Sequence, residues 1–166
     1  MISINELKNI KLVCFDFDGV FTDNFVDVDE KGTESVRCFR SDGIGIARLK
    51  KADIAIYIVS TEVNPVVSSR AKKLDIPVMQ AVKDKGLAMQ EICKELNVSN
   101  TNAMFVGNDI NDIPAFKFVK YPIGVADSFP EIDQYIIHKT KNKGGKGAVR
   151  EICDMIINGS GNFGSS

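Results

Sequence analysis

Cysteine and histidine are scarce in this 166-residue sequence, which limits the redox and metal chemistry that it can support. The four cysteines are far apart and form no C-x-x-C pair. Cys14 lies in an apolar segment typical of a buried strand, and Cys93 and Cys153 lie on apolar helix faces. We therefore expect free core thiols in a reducing cytoplasm rather than a disulfide or zinc site. The single histidine, His138, has no evident catalytic partner, and we assign it no role.

Neither a basic surplus nor a long hydrophobic run is present. Lys and Arg number 21 against 22 Asp and Glu, a net charge of -1 that argues against a nucleic-acid partner. No apolar run approaches membrane-spanning length, and the first residues lack the apolar core of a signal peptide. We expect no membrane association and a cytoplasmic location. The absence of a G-x-x-x-x-G-K-[ST] motif excludes a P-loop nucleotide site.

What the sequence does contain is an alternation of strand-like and helix-like segments. The predicted strands are 11–17, 54–59, 76–80, 103–107, 121–126 and 135–138, and the predicted helices are 44–51, 65–74, 86–96, 112–119 and 148–157. One segment, 25–39, breaks the alternation and is predicted to form a β-hairpin. We expect an α/β fold: a Rossmann-like, doubly wound parallel sheet with helices on both faces. It would form one domain over residues 1–158, followed by a flexible tail at 159–166.

Clustered carboxylates follow two of the predicted strands. Asp16 lies near the end of the apolar segment KLVCFDF and Asp18 follows it directly, while the segment GNDIND places Asp109 and Asp112 after another strand. Ligands of doubly wound sheets bind at the carboxyl ends of the strands, so these acids are expected to converge there. A Mg²⁺ ion would relieve their mutual repulsion. The alternative is that they are helix caps and turn formers, which we favour for Asp112 taken alone but not for the first two.

Two further strand ends carry complementary groups. Ser60 and Thr61 follow the strand 54–59 and precede a helix start, where backbone N–H groups can hold an anion. Lys85 precedes the helix 86–96 and places a positive charge near the same rim. Taken singly, Ser60 can be an N-cap and Lys85 a solvated surface lysine. Taken with the carboxylates, they complete a set of groups suited to phosphoryl transfer.

DFDGVFTD, Ser60, Lys85 and GNDIND, in this order, resemble the four motifs of the haloacid dehalogenase-like (HAD) phosphohydrolases. The resemblance spans roughly residues 11–155. It implies that Asp16 is a nucleophile that forms an aspartyl-phosphate. It also implies that Asp18 is the general acid and base, and that Ser60 and Lys85 hold the phosphoryl oxygens.

The same resemblance implies the ligands of the Mg²⁺ ion. They are Asp16, the backbone carbonyl of Asp18, and Asp109, with Asn108 or Asp112 in a supporting role. A phosphorylation receiver domain also has a strand-end aspartate and a later lysine, but the hairpin and GNDIND do not fit it.

The length leaves no room for a cap domain, and the chain resembles the capless C0 group of this family. That group contains 3-deoxy-manno-octulosonate 8-phosphate (KDO8P) phosphatase and the nonulosonate 9-phosphate phosphatases. The motifs R-x-D-G-x-G-I, which contains Asp42, and G-G-x-G-A-V-R-E, which contains Lys146, also resemble it. The resemblance implies a homotetramer that is assembled through the hairpins and in which a neighbouring subunit closes the active site. The alternative is a hairpin that folds back on its own domain.

The segment STEVNPVVSSRAKKL bears on the substrate, a small phosphorylated sugar acid. It resembles the nonulosonate enzymes, because Glu62 stands where octulosonate phosphatases have arginine. Arg70 and Lys73 are expected to face the substrate carboxylate, although they also fit an ordinary basic helix face. Further residues expected at the substrate are Thr61, Glu62, Asp42 and Lys146. The main hypothesis is a phosphatase for a nine-carbon 2-keto-3-deoxy sugar acid 9-phosphate; the alternatives are a KDO8P phosphatase and a tetramerisation module like that fused to CMP-sialate synthetases.

Overall fold

A six-stranded sheet lies at the centre of the protein. The computed structural model describes residues 2–160. The strands are β1 (Leu12–Phe15), β2 (Asp27–Val28), β3 (Glu34–Ser35), β4 (Ala55–Val59), β5 (Val78–Met79), β6 (Ala103–Gly107), β7 (Tyr121–Gly124) and β8 (His138–Lys139). The sheet order is β5-β4-β1-β6-β7-β8, and each neighbouring pair is parallel. This confirms the predicted doubly wound parallel sheet.

Helices cover both faces of this sheet. They are α1 (Ile4–Leu7), α2 (Asp42–Lys51), α3 (Pro65–Leu74), α4 (Lys85–Glu95), α5 (Ile113–Phe118) and α6 (Ala148–Ser160). Apolar residues of α1, α2, α3 and α6 share one core cluster, and those of α4 and α5 share a second on the opposite face. The all-buried strands β1 and β6 lie between the two layers, as expected for parallel strands covered on both sides.

Local sequence signals fix where α3 and α4 begin, and these starts place the groups that follow β4 and β5. The Asn64 side chain accepts a hydrogen bond from the Val66 backbone N–H, and Pro65 occupies the first helical position. The Asp84 side chain accepts from the backbone N–H groups of Gly86 and Leu87. Because Asp84 caps α4, Lys85 becomes the first residue of that helix.

The segment between β1 and α2 contains the predicted hairpin. β2 and β3 pair in antiparallel fashion and are separate from the central sheet. In the turn, Asp29 Oδ1 accepts from the backbone N–H groups of Lys31 and Thr33, and Gly32 has a φ of +79°. Phe25 and Val28 are 79% and 60% exposed. Within residues 2–160 this hairpin is the only excursion between β1 and α2, and no cap domain is formed.

The structure differs from the predicted segments mainly at their ends. β1 ends at Phe15, so Asp16 and Asp18 follow the strand instead of belonging to it. Helix α6 continues to Ser160 instead of ending at 157, and Gly159 packs closely against Leu7. The remainder of the predicted tail, 161–166, lies outside the described residues. No helix in the described range is long and apolar enough to cross a membrane.

Candidate active site

Asp16 is the first residue after β1 and is almost completely buried. Its backbone N–H donates to the Val106 carbonyl (2.9 Å), which continues the pairing of β1 with β6 by one residue. Its Oδ1 atom accepts from the Phe17 backbone N–H (2.7 Å) and lies 2.7 Å from Lys85 Nζ. Burial and the negative charge of Asp112 raise the pKa of Asp16 to about 7, against the opposing effect of Lys85.

Lys85 is buried between two carboxylates. Its Nζ atom lies 2.7 Å from Asp16 Oδ1 and 2.6 Å from Asp112 Oδ1. Burial alone would lower the pKa of Lys85, but the two carboxylates reverse this and hold it above its ordinary value. The alternative of a solvated surface lysine is therefore wrong. One buried cation is shared by two carboxylates, which leaves a net charge of -1 when all three groups are ionised.

Asp112 organises the turn that follows β6. Its Oδ2 atom accepts from the backbone N–H groups of Asn108 (2.8 Å) and Asp109 (3.2 Å), while its Oδ1 atom pairs with Lys85. A Cβ atom on Gly107 would lie 2.3 Å from Asp112 Oδ2, so only glycine fits there. Asp112 therefore combines the turn-forming role favoured from the sequence with an ion pair to Lys85 that the sequence did not reveal.

Asp18 lies in the turn after β1 and is half-buried. Desolvation raises the pKa of Asp18, and the negative charges of Glu62 and Glu34 add to this, while Lys85 opposes it. The Asp18 carboxylate therefore lies in a negatively charged environment, to which the β3 residue Glu34 contributes. A raised pKa favours the protonated form of this carboxyl, which suits a proton donor.

Oxygen ligands for a hard cation converge beside Asn108. In the amide orientation that satisfies its neighbours, Asn108 Nδ2 donates to Asp16 Oδ2 (3.2 Å) and to the Asp18 backbone carbonyl (3.0 Å). These two oxygens therefore lie close together at the end of β1. Asp109 follows Asn108 directly, and its Oδ1 atom accepts from the Ile110 backbone N–H (2.7 Å).

These oxygen donors fit Mg²⁺ better than a metal that must be held by three or more protein side chains. Among residues 2–160, no group of three or more His, Cys, Asp or Glu side chains is arranged to hold a metal ion. Mg²⁺ is usually bound by one or two carboxylates, with water and substrate phosphate completing its shell. The Asp16 carboxylate and the Asp18 carbonyl, which meet at the Asn108 amide, could supply two oxygens of such a shell.

Ser60 and Glu62 lie at the end of β4. Ser60 is buried, and its Oγ atom accepts from the Glu62 backbone N–H (3.1 Å); Thr61 is exposed. Glu62 Oε1 accepts from the backbone N–H groups of Val63 (2.7 Å) and Asn64 (2.9 Å). The Glu62 carboxylate thus stabilises the loop before α3, and its second oxygen makes no hydrogen bond within the described residues.

Arg70 and Lys73 line a cleft of about 730 Å³ between α3 and the hairpin. Glu34 lines the same cleft and accepts a hydrogen bond from Asn64 Nδ2 (2.8 Å), so the hairpin and the start of α3 are joined across it. Arg70 donates to the Phe39 carbonyl (3.2 Å) and is half-buried, while Lys73 is exposed. The two basic residues therefore line the same cleft as Glu34, whose charge acts on Asp18.

Two residues expected at the substrate lie elsewhere or make other contacts. Asp42 is fully buried, and its Oδ1 atom accepts from the Arg150 backbone N–H (3.1 Å), so it joins α2 to α6 and cannot contact a ligand. The prediction for Asp42 is therefore wrong. Lys146 is exposed and lies 3.8 Å from Asp23 Oδ2 in its own chain. This contact alone does not bring it to Asp16.

Sequence reasoning missed Glu34 altogether. It stands in an exposed hairpin strand, and only its charge, which helps to raise the pKa of Asp18 in the folded chain, links it to the site. The sequence also suggests no role for Asp127 and Glu151, whose carboxylates accept hydrogen bonds from the backbone of segment 141–147. The motif G-G-x-G-A-V-R-E contains Glu151 and was the one available signal for it.

The comparisons with known proteins agree with this geometry. A family model for haloacid dehalogenase-like hydrolases matches residues 46–152. The 3-deoxy-D-manno-octulosonate 8-phosphate phosphatase KdsC of Haemophilus influenzae is 34% identical over 158 residues, covering 94% of this chain and 87% of that protein. KdsC of Escherichia coli K12 is 30% identical over 155 residues, covering 93% and 82%.

A solved structure gives the same result. The 3-deoxy-D-manno-octulosonate 8-phosphate phosphatase of Moraxella catarrhalis, in complex with magnesium, phosphate and KDO, superposes with a TM-score of 0.92 at 30% identity. The match covers 96% of this chain and 92% of that one. Sequence and structure therefore agree over nearly the whole chain. The protein belongs to the haloacid dehalogenase-like hydrolases and is a phosphatase of that family.

Proposed function

We propose that this phosphatase hydrolyses the phosphate monoester of a 3-deoxy-2-ulosonic acid, with KDO8P as its substrate, through an aspartyl-phosphate on Asp16. The observation that carries the proposal is the buried Asp16 carboxylate at the end of β1, 2.7 Å from Lys85 Nζ. The relatives named above, at 30–34% identity over almost the full chain, support the eight-carbon ester.

Asp16 attacks phosphorus and the bond to the ester oxygen breaks, so the phosphoryl group is transferred to the carboxylate. Lys85 lies against Asp16 and, with the Ser60 hydroxyl, holds the transferring oxygens. Asp18 donates its proton to the leaving alkoxide. It then removes a proton from the water that attacks the aspartyl-phosphate, which restores Asp16 and releases phosphate.

Asp16, the Asp18 carbonyl and Asp109 are the residues that would hold Mg²⁺, with Asn108 and Asp112 fixing the turn around it. When bound, Mg²⁺ supplies positive charge that lowers the pKa of Asp16 and offsets charge on the phosphoryl oxygens. The magnesium and phosphate in the Moraxella catarrhalis complex support this assignment. The structure of the Haemophilus influenzae phosphatase in a cobalt-bound form supports a divalent site as well.

The cleft beside α3 is the proposed position of the sugar-acid carboxylate. Arg70 and Lys73 supply two positive charges there, and Arg offers a planar fork that matches a carboxylate. Thr61 and Glu62 directly follow Ser60 in the loop before α3 and are proposed to contact hydroxyl groups of the substrate.

One observation favours a second candidate, a nine-carbon 9-phosphate such as that of KDN or an N-acylneuraminate. Glu62 stands where the resemblance to octulosonate phosphatases would place an arginine. A glutamate with one free oxygen would accept a hydrogen bond from a hydroxyl or amide group and would repel a second carboxylate.

The hairpin is proposed to form subunit contacts in a homotetramer and to close the active site of a neighbour. Its two strands have two residues each, and a ribbon of that size is marginal in water without a partner. Phe25 and Val28 offer exposed apolar surface for that contact. Lys146, in an exposed loop, is proposed to reach the neighbouring site.

The test is phosphate release from KDO8P, KDN-9-phosphate and N-acetylneuraminate-9-phosphate, each with Mg²⁺ and with chelator. We expect Mg²⁺-dependent turnover and the highest kcat/KM for KDO8P. A higher kcat/KM for a nine-carbon ester would establish the second candidate. Turnover of p-nitrophenyl phosphate but of none of the three sugar esters would refute the substrate class.

A further inference from the structure

The glycine-rich segment 141–147 packs against the turn that contains Asp18. Gly145 N–H donates to the Val20 carbonyl (3.0 Å). A Cβ atom on Gly144 would lie 1.9 Å from the Gly19 carbonyl oxygen, and one on Gly145 would lie 2.4 Å from the Asp23 backbone nitrogen. The two backbones are therefore in direct contact, and residues 144 and 145 must be glycine for this contact to form.

Two carboxylates from other elements accept hydrogen bonds from the backbone of this segment. Glu151, in the first turn of α6, accepts from the backbone N–H groups of Lys141 and Asn142, both at 2.8 Å. Asp127, just after β7, accepts from the Gly144 N–H at 2.9 Å. Hydrogen bonds from backbone N–H groups to ionised carboxylates are stronger than neutral ones. The segment is thus fixed from two separate elements.

The Asp18 carboxylate depends on its backbone for its position. No hydrogen bond or ion pair to this carboxylate is formed within the described part of the chain. The turn that carries it is closed by hydrogen bonds from the Phe21 N–H to the Phe17 carbonyl (2.9 Å) and from the Gly19 N–H to Thr22 Oγ1 (3.1 Å). Any contact that fixes this turn therefore also fixes Asp18.

We propose that Glu151 and Asp127 are positioning residues for Asp18, which act through Gly144 and Gly145. This inference rests on the proposed function, in which Asp18 is the general acid. Loss of either carboxylate releases the glycine-rich segment from one of its anchors. The turn then loses a backbone support, and Asp18 spends less time where it can protonate the leaving oxygen.

Leaving-group dependence separates this role from a general structural one. An alkoxide from a sugar phosphate needs protonation as it departs, whereas p-nitrophenolate is stable enough to leave unprotonated. The ratio of kcat/KM for the two esters therefore reports on the general acid. A variant that is merely less stable loses both activities by the same factor.

The experiment compares Glu151→Ala, Glu151→Gln and Asp127→Ala with native protein, using KDO8P or the best sugar ester found above and p-nitrophenyl phosphate. General acid–base catalysis contributes about 10²–10⁴-fold, and partial misplacement should cost a part of that. We expect Glu151→Ala and Asp127→Ala to lose about tenfold or more on the sugar ester and less than about threefold on the aryl ester. Glu151→Gln keeps one acceptor oxygen and should fall between native protein and Glu151→Ala.

Two reference variants complete the design. Asp18→Asn should show the same selective loss in larger measure, and Glu91→Ala, at an exposed site on α4, should leave both activities unchanged. Equal losses on both esters in the folded variants, or no loss, would overturn the inference. If Glu151→Ala does not fold, Asp127→Ala, at an exposed position, decides the matter alone. Absence of phosphate release by native protein from every ester would instead refute the proposed function.

Discussion

Lys85 Nζ lies 2.7 Å from Asp16 Oδ1, although both side chains are buried. Taking two charges out of water is costly, and the mutual attraction repays this only with good geometry and further partners. Asp112 Oδ1, at 2.6 Å, is the second partner of the ammonium group. Asp16 follows β1, Asp112 lies in the turn after β6, and Lys85 begins α4, so this cluster ties three elements together at one edge of the sheet.

Replacement of Lys85 by methionine tests the structural part of this arrangement. Met fills a similar volume but leaves Asp16 and Asp112 buried without a counter-charge. Removing one partner of a buried pair costs about 3–5 kcal/mol, and we expect a loss of that order in the free energy of unfolding, measured in urea. Lys83→Met, at an exposed site, is the control. A loss no larger than that of the control would show that Lys85 does not neutralise this cluster.

Asp42 gives a prediction for pH dependence. Burial raises the pKa of Asp42 to about 7 from its ordinary value of 3.8, against the effects of Arg150 and Arg70. The folded state therefore binds this proton more tightly than the unfolded state. Its contribution to stability is fully present below the unfolded pKa and is lost as the pH rises to about 7.

The variant Asp42→Asn isolates this effect. An amide still offers an oxygen to the Arg150 N–H and does not titrate. Relative to native protein, the variant should become progressively more stable as the pH rises from about 4 to about 7, with little further change above that range. Urea unfolding at several pH values gives the comparison. A constant difference across the range would contradict the prediction.

Tyr121 gives a prediction of a substitution in the core that should not destabilise the protein. Its side chain is fully buried, and its hydroxyl has no hydrogen-bond partner in the part of the chain that the structure describes. Because an unpaired buried hydroxyl is costly, Tyr121→Phe should leave the free energy of unfolding unchanged or raise it by about 1 kcal/mol. The half-buried Tyr57→Phe serves as the matched variant. Marked destabilisation by Tyr121→Phe alone would indicate a partner that the fold does not show.

The hairpin supplies a prediction for assembly. Phe25→Asp combined with Val28→Asp places charge on the most exposed apolar surface of the hairpin. If this surface forms subunit contacts, light scattering should show a smaller assembly, and turnover should fall because a neighbour no longer closes the site. Leu87→Asp, at another exposed apolar residue, is the control. An unchanged mass for the hairpin variant would remove the basis for the tetramer.

Sequence patterns predicted the layers and the order of strands and helices because these depend on local signals. Apolar runs such as that of β1 and caps such as Asn64 and Asp84 are visible in a short window of sequence. For the same reason Asp16, Asp18 and Lys85 could be assigned to one edge of the sheet before their contacts were known.

Long-range packing decided what the sequence could not. Asp42 follows a polar segment and resembles a loop residue, but contact between α2 and α6 buries it beside Arg150, far away in the chain. The approach of Glu34 to Asp18 and the contact of Gly144 with Gly19 have the same origin. In each case the partner is fixed by tertiary structure, and no local pattern encodes it.

The central claim is that Asp16 carries the phosphoryl group. Asp18→Asn should slow hydrolysis of the intermediate while p-nitrophenyl phosphate still phosphorylates the enzyme. Mass spectrometry of the protein quenched in acid should then show one added phosphoryl group, located on the peptide that contains Asp16 and absent when Asp16→Asn is added. A protein that turns over without any phosphorylated form, or one phosphorylated at another residue, would contradict the account.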